Sequence, residues 1–163
     1  MQIQPAQLND IPDILAVVEE ARVIMRETGN MTQWNNGYPS VAIIEEDIKQ
    51  SQAFLCKVEN SIVGYFCFIQ GNTPDPNYTV IENGNWLNNA PYGVIHRLAS
   101  GGKVRGIAKA AFDFAFSQIT NVRVDTHHEN LPMQQFLKKN GFVYCGIIYV
   151  SDGTPRDAFQ KIL

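Results

Sequence analysis

Chemistry is most readily sought where cations sit among glycines, as in Val94-Ile95-His96-Arg97-Leu98-Ala99-Ser100-Gly101-Gly102-Lys103-Val104-Arg105-Gly106-Ile107-Ala108-Lys109. A β-prone run followed by glycines and a helical pattern predicts a strand turning into a helix. The first amides of a helix have no intrahelical acceptor and face an anion readily. Glycine lets a phosphate approach the backbone closely, and Lys103, Arg105 and Lys109 add positive charge around the same turn. The expectation is a phosphate or diphosphate site, the alternative being a turn that serves structure alone. Gly101 and Gly106 have the spacing of a P-loop, but Ile107-Ala108 stand where Lys and Ser/Thr are required. The G-x-G-x-x-G of a dinucleotide fold after an early strand is absent.

A second polar cluster, Asp125-Thr126-His127-His128-Glu129, sets histidines beside acids, yet no third ligand follows at a recognisable spacing and no metal is expected. Cys56, Cys67 and Cys145 form an odd set without CxxC spacing, which suggests neither a disulfide framework nor a zinc site. A thiol enzyme using Cys145 is an alternative that alkylation would test.

These residues need a scaffold, and the chain is long enough for one: 163 residues, 45% hydrophobic and 18% charged, suit a single globular domain over residues 1–163. A formal charge of -3 argues against coating nucleic acid. MQIQPAQLND lacks the basic start and apolar run of a secretory signal, and no apolar segment approaches bilayer length, so a cytoplasmic location away from membranes is expected.

Periodicity places the elements. Residues 1–7 suit a short strand, and Ile11, Ile14, Leu15, Val18 and Met25 follow at helical spacing, with Pro12 in the first turn. Residues 27–40 read as a loop or broken helix, and 42–50 as a short helix. The runs 53–58 and 62–70 are strands around a hairpin turn at Glu59-Asn60-Ser61. Residues 71–89 are a polar excursion. The strand 92–100 leads into a helix with Ile107, Ala111, Ala115 and Ile119 in one row. Residues 121–126 alternate, with Val122 and Val124 on one face and Arg123 and Asp125 on the other. Asn130 caps a helix ending at Gly141, and 142–150 and 157–163 are the last strands. The order βααβββαβαββ makes a mixed α/β domain.

Lys103-Val104-Arg105-Gly106-Ile107-Ala108 resembles the acyl-CoA signature R/Q-x-x-G-x-G/A of the GNAT acetyltransferases, with lysine at its first position. A second stretch, Asn130-Leu131-Pro132-Met133-Gln134-Gln135-Phe136-Leu137-Lys138-Lys139-Asn140-Gly141-Phe142, is similar to the family's N-x-x-A-x-x-L-Y-x-K-x-G-F. Asn130, Lys139, Gly141 and Phe142 match, while Met133 and Phe136 are apolar replacements. The resemblance covers essentially the whole chain. It implies a single-domain GNAT fold with a mostly antiparallel sheet, and an N-acetyltransferase that takes acetyl-CoA as co-substrate and a small-molecule or peptide amine as acceptor. A non-catalytic module that binds acyl-CoA is the alternative, and a homodimer is the default assembly.

The same resemblance implies roles for named positions. Acyl-CoA would lie between the strands ending near Ser100 and Thr126, its pantetheine amides pairing with the backbone of Leu98 and Ser100, and Ala99 between them would also belong to the cofactor site. Its diphosphate would meet the amides of Lys103, Val104, Arg105, Gly106, Ile107, Ala108 and Lys109. Asn130, Met133, Phe136 and Leu137 would flank the cofactor, and the N–H of Leu98 would polarise the thioester carbonyl. Where relatives carry a tyrosine as general acid this chain has Leu137, so Tyr144, Tyr149 or Cys145 would substitute, or thiolate would leave unaided. His96, on the strand expected to hold the acetyl group, is a candidate base, the alternative being a packed histidine. His127 is the second candidate. Trp34, Tyr38 and Trp86 would either line the amine pocket or pack the loops that carry them.

Overall fold

The computed structural model describes residues 1–163. Its elements are β1 (Gln2–Pro5), α1 (Ile11–Glu27), α2 (Val41–Lys49), β2 (Ala53–Val58), β3 (Ser61–Gly71), β4 (Tyr92–Ser100), α3 (Ile107–Gln118), β5 (Asn121–Thr126), α4 (Leu131–Lys139), β6 (Val143–Tyr149) and β7 (Pro155–Ile162). This is the expected α/β order. The local reasons are visible at the element ends. Ser40 caps α2 by accepting from the Ile43 amide, and Asn130 caps α4 by accepting from the Met133 amide. Glu59 takes the left-handed conformation that the tight β2–β3 turn requires.

The strands form one sheet in the order β1-β2-β3-β4-β5-β7-β6. All neighbours are antiparallel except β4 and β5. α3 and α4 cover one face over a core that includes Phe66, Ile95, Phe112, Val124 and Leu137. α1 and α2 cover the other face of the first half-sheet, against Leu55, Tyr65 and Ala99. Over the second half of that face lies the polar excursion, whose 3-10 turn Pro76–Thr79 plants Tyr78 on Val94, Ile148 and Ala158. No helix is long and apolar enough to cross a membrane.

Two departures from regular pairing shape the site. β4 and β5 pair only through Gly93 with Val122 and Val94 with Arg123, and beyond these they diverge. β3 and β4 slip register: Cys67 opposes His96 and Tyr65 opposes Ala99, so Phe66 faces both Arg97 and Leu98. That extra residue is a β-bulge, and Arg97 stands in it with φ of 54°.

β5 alternates as its sequence predicts, with Arg123 and Asp125 on the face opposite Val122 and Val124, but Arg123 does not face water. It is buried, with its guanidinium 4.3 Å from the Trp86 ring centre and 4.0 Å from that of Tyr92. The excursion closes over β5, so both faces of the strand are interior.

Candidate active site

A cavity of about 610 Å³ occupies the opening between β4 and β5. Ile95, Leu98, Phe112, Val124 and Met133 give it an apolar side next to α3 and α4, whereas Trp34, Tyr38, Asp75, His96, Asp125 and Arg156 make the opposite wall polar. His96 and Asp125 share a sheet face because each lies two residues beyond the last β4–β5 pair, Val94 with Arg123.

His96 Nε2 lies 2.8 Å from Asp75 Oδ2. Asp75 caps the 3-10 turn, its other oxygen accepting from the Asn77 amide at 2.8 Å. Burial raises the Asp75 carboxyl, but the hydrogen bond and charge of His96 and the Asn77 amide outweigh it and leave the group below its ordinary value. With Nε2–H committed to Asp75, the neutral ring keeps Nδ1 as its basic nitrogen. Asp125 accepts from the Tyr78 hydroxyl at 2.6 Å. Burial first, then the charges of Asp125 and Asp75, hold the Tyr78 hydroxyl well above its usual range, so it stays a donor. Asp75, His96 and Asp125 bring ligand atoms within 4.8 Å of one another, a spacing that also suits a cation. This trio was invisible to motif reading, because Asp75 comes from the excursion and meets His96 only in three dimensions.

Beside the trio, Arg97 reaches back from the bulge to Asp47 of α2, Nε to Oδ2 at 2.7 Å and Nη2 to Oδ1 at 2.5 Å. Tyr65 donates to the same Asp47 at 2.7 Å, and Arg97 Nη1 donates to the Tyr38 hydroxyl at 3.2 Å. Burial disfavours the guanidinium charge, but the Asp47 hydrogen bonds outweigh it and hold the group charged. A left-handed non-glycine residue in a strand is a strained conformation. Here a two-point ion pair with Asp47 pins it.

The turn after β4 keeps the feature expected of it. No amide from Lys103 to Lys109 donates a backbone hydrogen bond, the first helical bond being from Ala110 to Gly106. Gly106 is the α3 N-cap at φ of 88°, and the helix start can press onto β3 because Gly64 has no Cβ, which would lie 2.6 Å from Ile107. The lysine charges are more committed than the sequence suggested. Lys103 pairs with Glu20 at 2.5 Å and Lys109 with Asp113 at 2.6 Å, leaving Arg105 unpaired. Exposed pairs of this kind are worth about 0–1 kcal/mol.

The remaining predicted residues divide. Trp34, Tyr38, His96, Leu98, Asn130 and Met133 line the cavity. Asn130 has both amide atoms engaged, Oδ1 by the Met133 amide and Nδ2 by Gln33. Ala99 is wholly buried against α1 and α2 and does not line the cavity. Leu137 corrects an expectation: it is wholly buried in the core, on the inward row of α4, and cannot touch a cofactor. Phe136 packs against Phe112. Tyr144 is exposed on β6 against Phe159, and neither it nor Tyr149 nor Cys145 lines the cavity. Trp86 donates to the Tyr78 carbonyl and stacks on Arg123, away from the cavity wall. His127 also lies off that wall. It accepts the Glu129 amide on Nδ1 and therefore donates from Nε2 to Thr32, at 3.0 Å. Burial first, then Arg156 and His128, lowers its basicity. Sequence reasoning missed Asp47, Asp75, Arg97 and Arg156. Only Asp75, in the capping pattern Asp-Pro-Asn, carried a local signal.

No protein-family model and no curated protein matches the chain. Solved structures do. An acetyltransferase of the GNAT family from Streptococcus agalactiae 2603 is 34% identical, with a TM-score of 0.88 over 99% of this chain and 95% of its own. A GNAT-family acetyltransferase from Listeria monocytogenes is 22% identical, with a TM-score of 0.71 over 99% and 94% of the two chains. A ribosomal-protein-alanine N-acetyltransferase from Brucella melitensis, at 15% identity and a TM-score of 0.66 over 100% of each chain, shares the fold.

Proposed function

The chain belongs to the GNAT family of acetyltransferases, and from that membership we propose that it moves an acetyl group from acetyl-CoA to a primary amine by direct attack. The observation that carries this reading is the His96–Asp75 pair on the wall of the cavity that the diverging β4 and β5 leave open. Acetyl-CoA supplies the activated thioester. The free amides from Lys103 to Lys109 take its diphosphate, and the apolar side of the cavity at Ile95, Phe112 and Met133 takes the arm. The Leu98 N–H receives the charge that develops on the carbonyl oxygen.

His96 Nδ1 takes one proton from the ammonium, and Asp75 stabilises the imidazolium that results. The freed amine then attacks the acyl carbon, the C–N bond forms, and the C–S bond breaks with its electron pair on sulfur. The nitrogen loses a second proton and the sulfur gains one. Ammonium and acetyl-CoA thus become an N-acetylated amine, CoA thiol and one released proton. No tyrosine is needed as general acid, since a thiol of pKa about 8.5 is a tolerable leaving group as thiolate.

His96→Ala is expected to lower kcat/KM by about 10²- to 10⁴-fold, while CoA affinity stays near wild type. Full activity across pH would remove His96 from the mechanism. The burial of Leu137 and the position of Tyr144 outside the cavity favour a second reading, a non-catalytic acyl-CoA-binding module. Steady CoA release with any amine excludes it.

A further inference from the structure

Three charged groups face the cavity without a salt-bridge partner, Asp125, Asp152 and Arg156, and Asp152 is turned onto its own loop by the Thr154 amide and hydroxyl. Among the lining cations, Arg97 is held by Asp47. Arg156, the other lining arginine, makes no salt bridge. Only its Nη1 is engaged, by Thr154 Oγ1 and the Pro155 carbonyl, both at 3.0 Å. Asp125 has one oxygen fixed by Tyr78 and the other without a hydrogen-bond donor.

Strand register sets Asp125 and Arg156 side by side. Asp125 of β5 opposes Ala158 of β7, and Arg156 lies two residues before Ala158 on the same sheet face. Such diagonal neighbours stand about 7–8 Å apart between backbones, within reach of an arginine, yet the two do not pair. His96 shares that face on β4, so base, carboxylate and guanidinium form a row across three adjacent strands lining one cavity.

We propose that the acceptor is a free α-amino acid, its ammonium on Asp125 beside His96 and its carboxylate on Arg156. The proposal rests on the acetyl-transfer reading above and names its substrate class. A guanidinium fork matches a carboxylate in shape and charge. One free cation suits a single negative charge, and a phosphate dianion would meet Asp125 and Asp152 on the same wall. The gap between an unpaired anion and an unpaired cation fits a short zwitterion, which a peptide N-terminus is not.

The test is CoA release with acetyl-CoA and each L-amino acid beside its own carboxamide, which keeps the α-amine and removes only the charge. The expected result is at least one amino acid with kcat/KM about 10- to 100-fold above its amide, the range of a charge-assisted hydrogen bond. Arg156→Gln should shrink that ratio to below about threefold, and Arg156→Lys should restore part of it by keeping the charge. Arg156 is partly exposed near a turn, so these variants are expected to fold. Amides or peptides acetylated as well as or better than free amino acids would overturn the proposal and leave acetyl transfer standing. So would a ratio that Arg156→Gln does not change. Release with no amine of any kind would instead overturn the transfer reading, and this proposal with it.

Discussion

Asp75 does two things with one carboxylate: it closes the 3-10 turn through the Asn77 amide and it fixes His96. Its carboxyl titrates below the ordinary value in the fold, so the ionised form contributes stability at pH above about 4 that is lost as pH falls further. Asp75→Asn is therefore expected to flatten the acid end of the stability curve measured by urea unfolding. It should also lower kcat by about 10-fold or more, because the imidazolium loses its counter-charge. A loss of stability with unchanged kcat would make Asp75 a loop anchor only. Arg97 and Asp47 work differently, since both are largely buried and each is the other's only ionic partner. Removing one leaves the other charged in the interior, so Asp47→Ala should cost about 3–5 kcal/mol of unfolding free energy. Asp47 has no place on the cavity wall, and a fall in kcat in this variant at a temperature where it remains folded would report the bulge.

At the scale of elements, the strand-to-helix turn is where sequence and structure agree most closely, and for a physical reason. Everything needed is local: glycines, a strand before and a helix after, over sixteen consecutive positions that read directly. Helical and strand periods likewise revealed the order of all eleven elements, because each face buries its own row. What did not read was non-local. The excursion over residues 71–89 looks like a polar loop, but Tyr78 meets Asp125 and Trp86 meets Arg123, partners more than 35 residues away along the chain. The bulge was hidden as well, since arginine carries no hint of a left-handed conformation that glycine or asparagine normally occupies. Gly106 gives the prediction proper to this scale. At φ of 88° an added Cβ meets no atom within 4 Å, so Gly106→Ala tests backbone conformation and not crowding. It should cost about 1–2 kcal/mol and, if the turn relaxes towards negative φ, weaken CoA binding measured by calorimetry. Unchanged affinity in a variant that has regained the lost stability by relaxing its turn would mean that these amides do not hold the diphosphate.

The whole molecule is two half-sheets joined by only two β4–β5 residue pairs, and the core under α3 and α4 and the excursion over residues 71–89 bridge the halves on its two faces. The segment between α1 and α2 adds a further link across the gap. The Met31 amide donates to Glu129 at 3.1 Å, Thr32 meets His127 at 3.0 Å, and Asn130 donates to Gln33 at 3.2 Å. The same strap carries Trp34 and Tyr38 onto the cavity wall, so its closure and the shape of the cavity are one variable. His127 is the titrating member. Its Nδ1 accepts the Glu129 amide, which an imidazolium cannot do, and the charges around it are mixed: Arg156 and His128 oppose protonation, whereas Glu129 and Asp157 favour it. Burial decides the balance and lowers the histidine's pKa in the closed form. The open form therefore binds the proton more tightly, and closure weakens as pH drops below about 6.5, the value of a free histidine. Hydrogen exchange at the Met31 amide should accelerate on acidification from neutral pH towards 5, beyond the intrinsic chemical trend, while the paired amides of β2 and β3 stay protected. A His127→Gln variant should lose that pH dependence. Exchange at Met31 that follows the intrinsic trend alone would mean that the strap is held without His127.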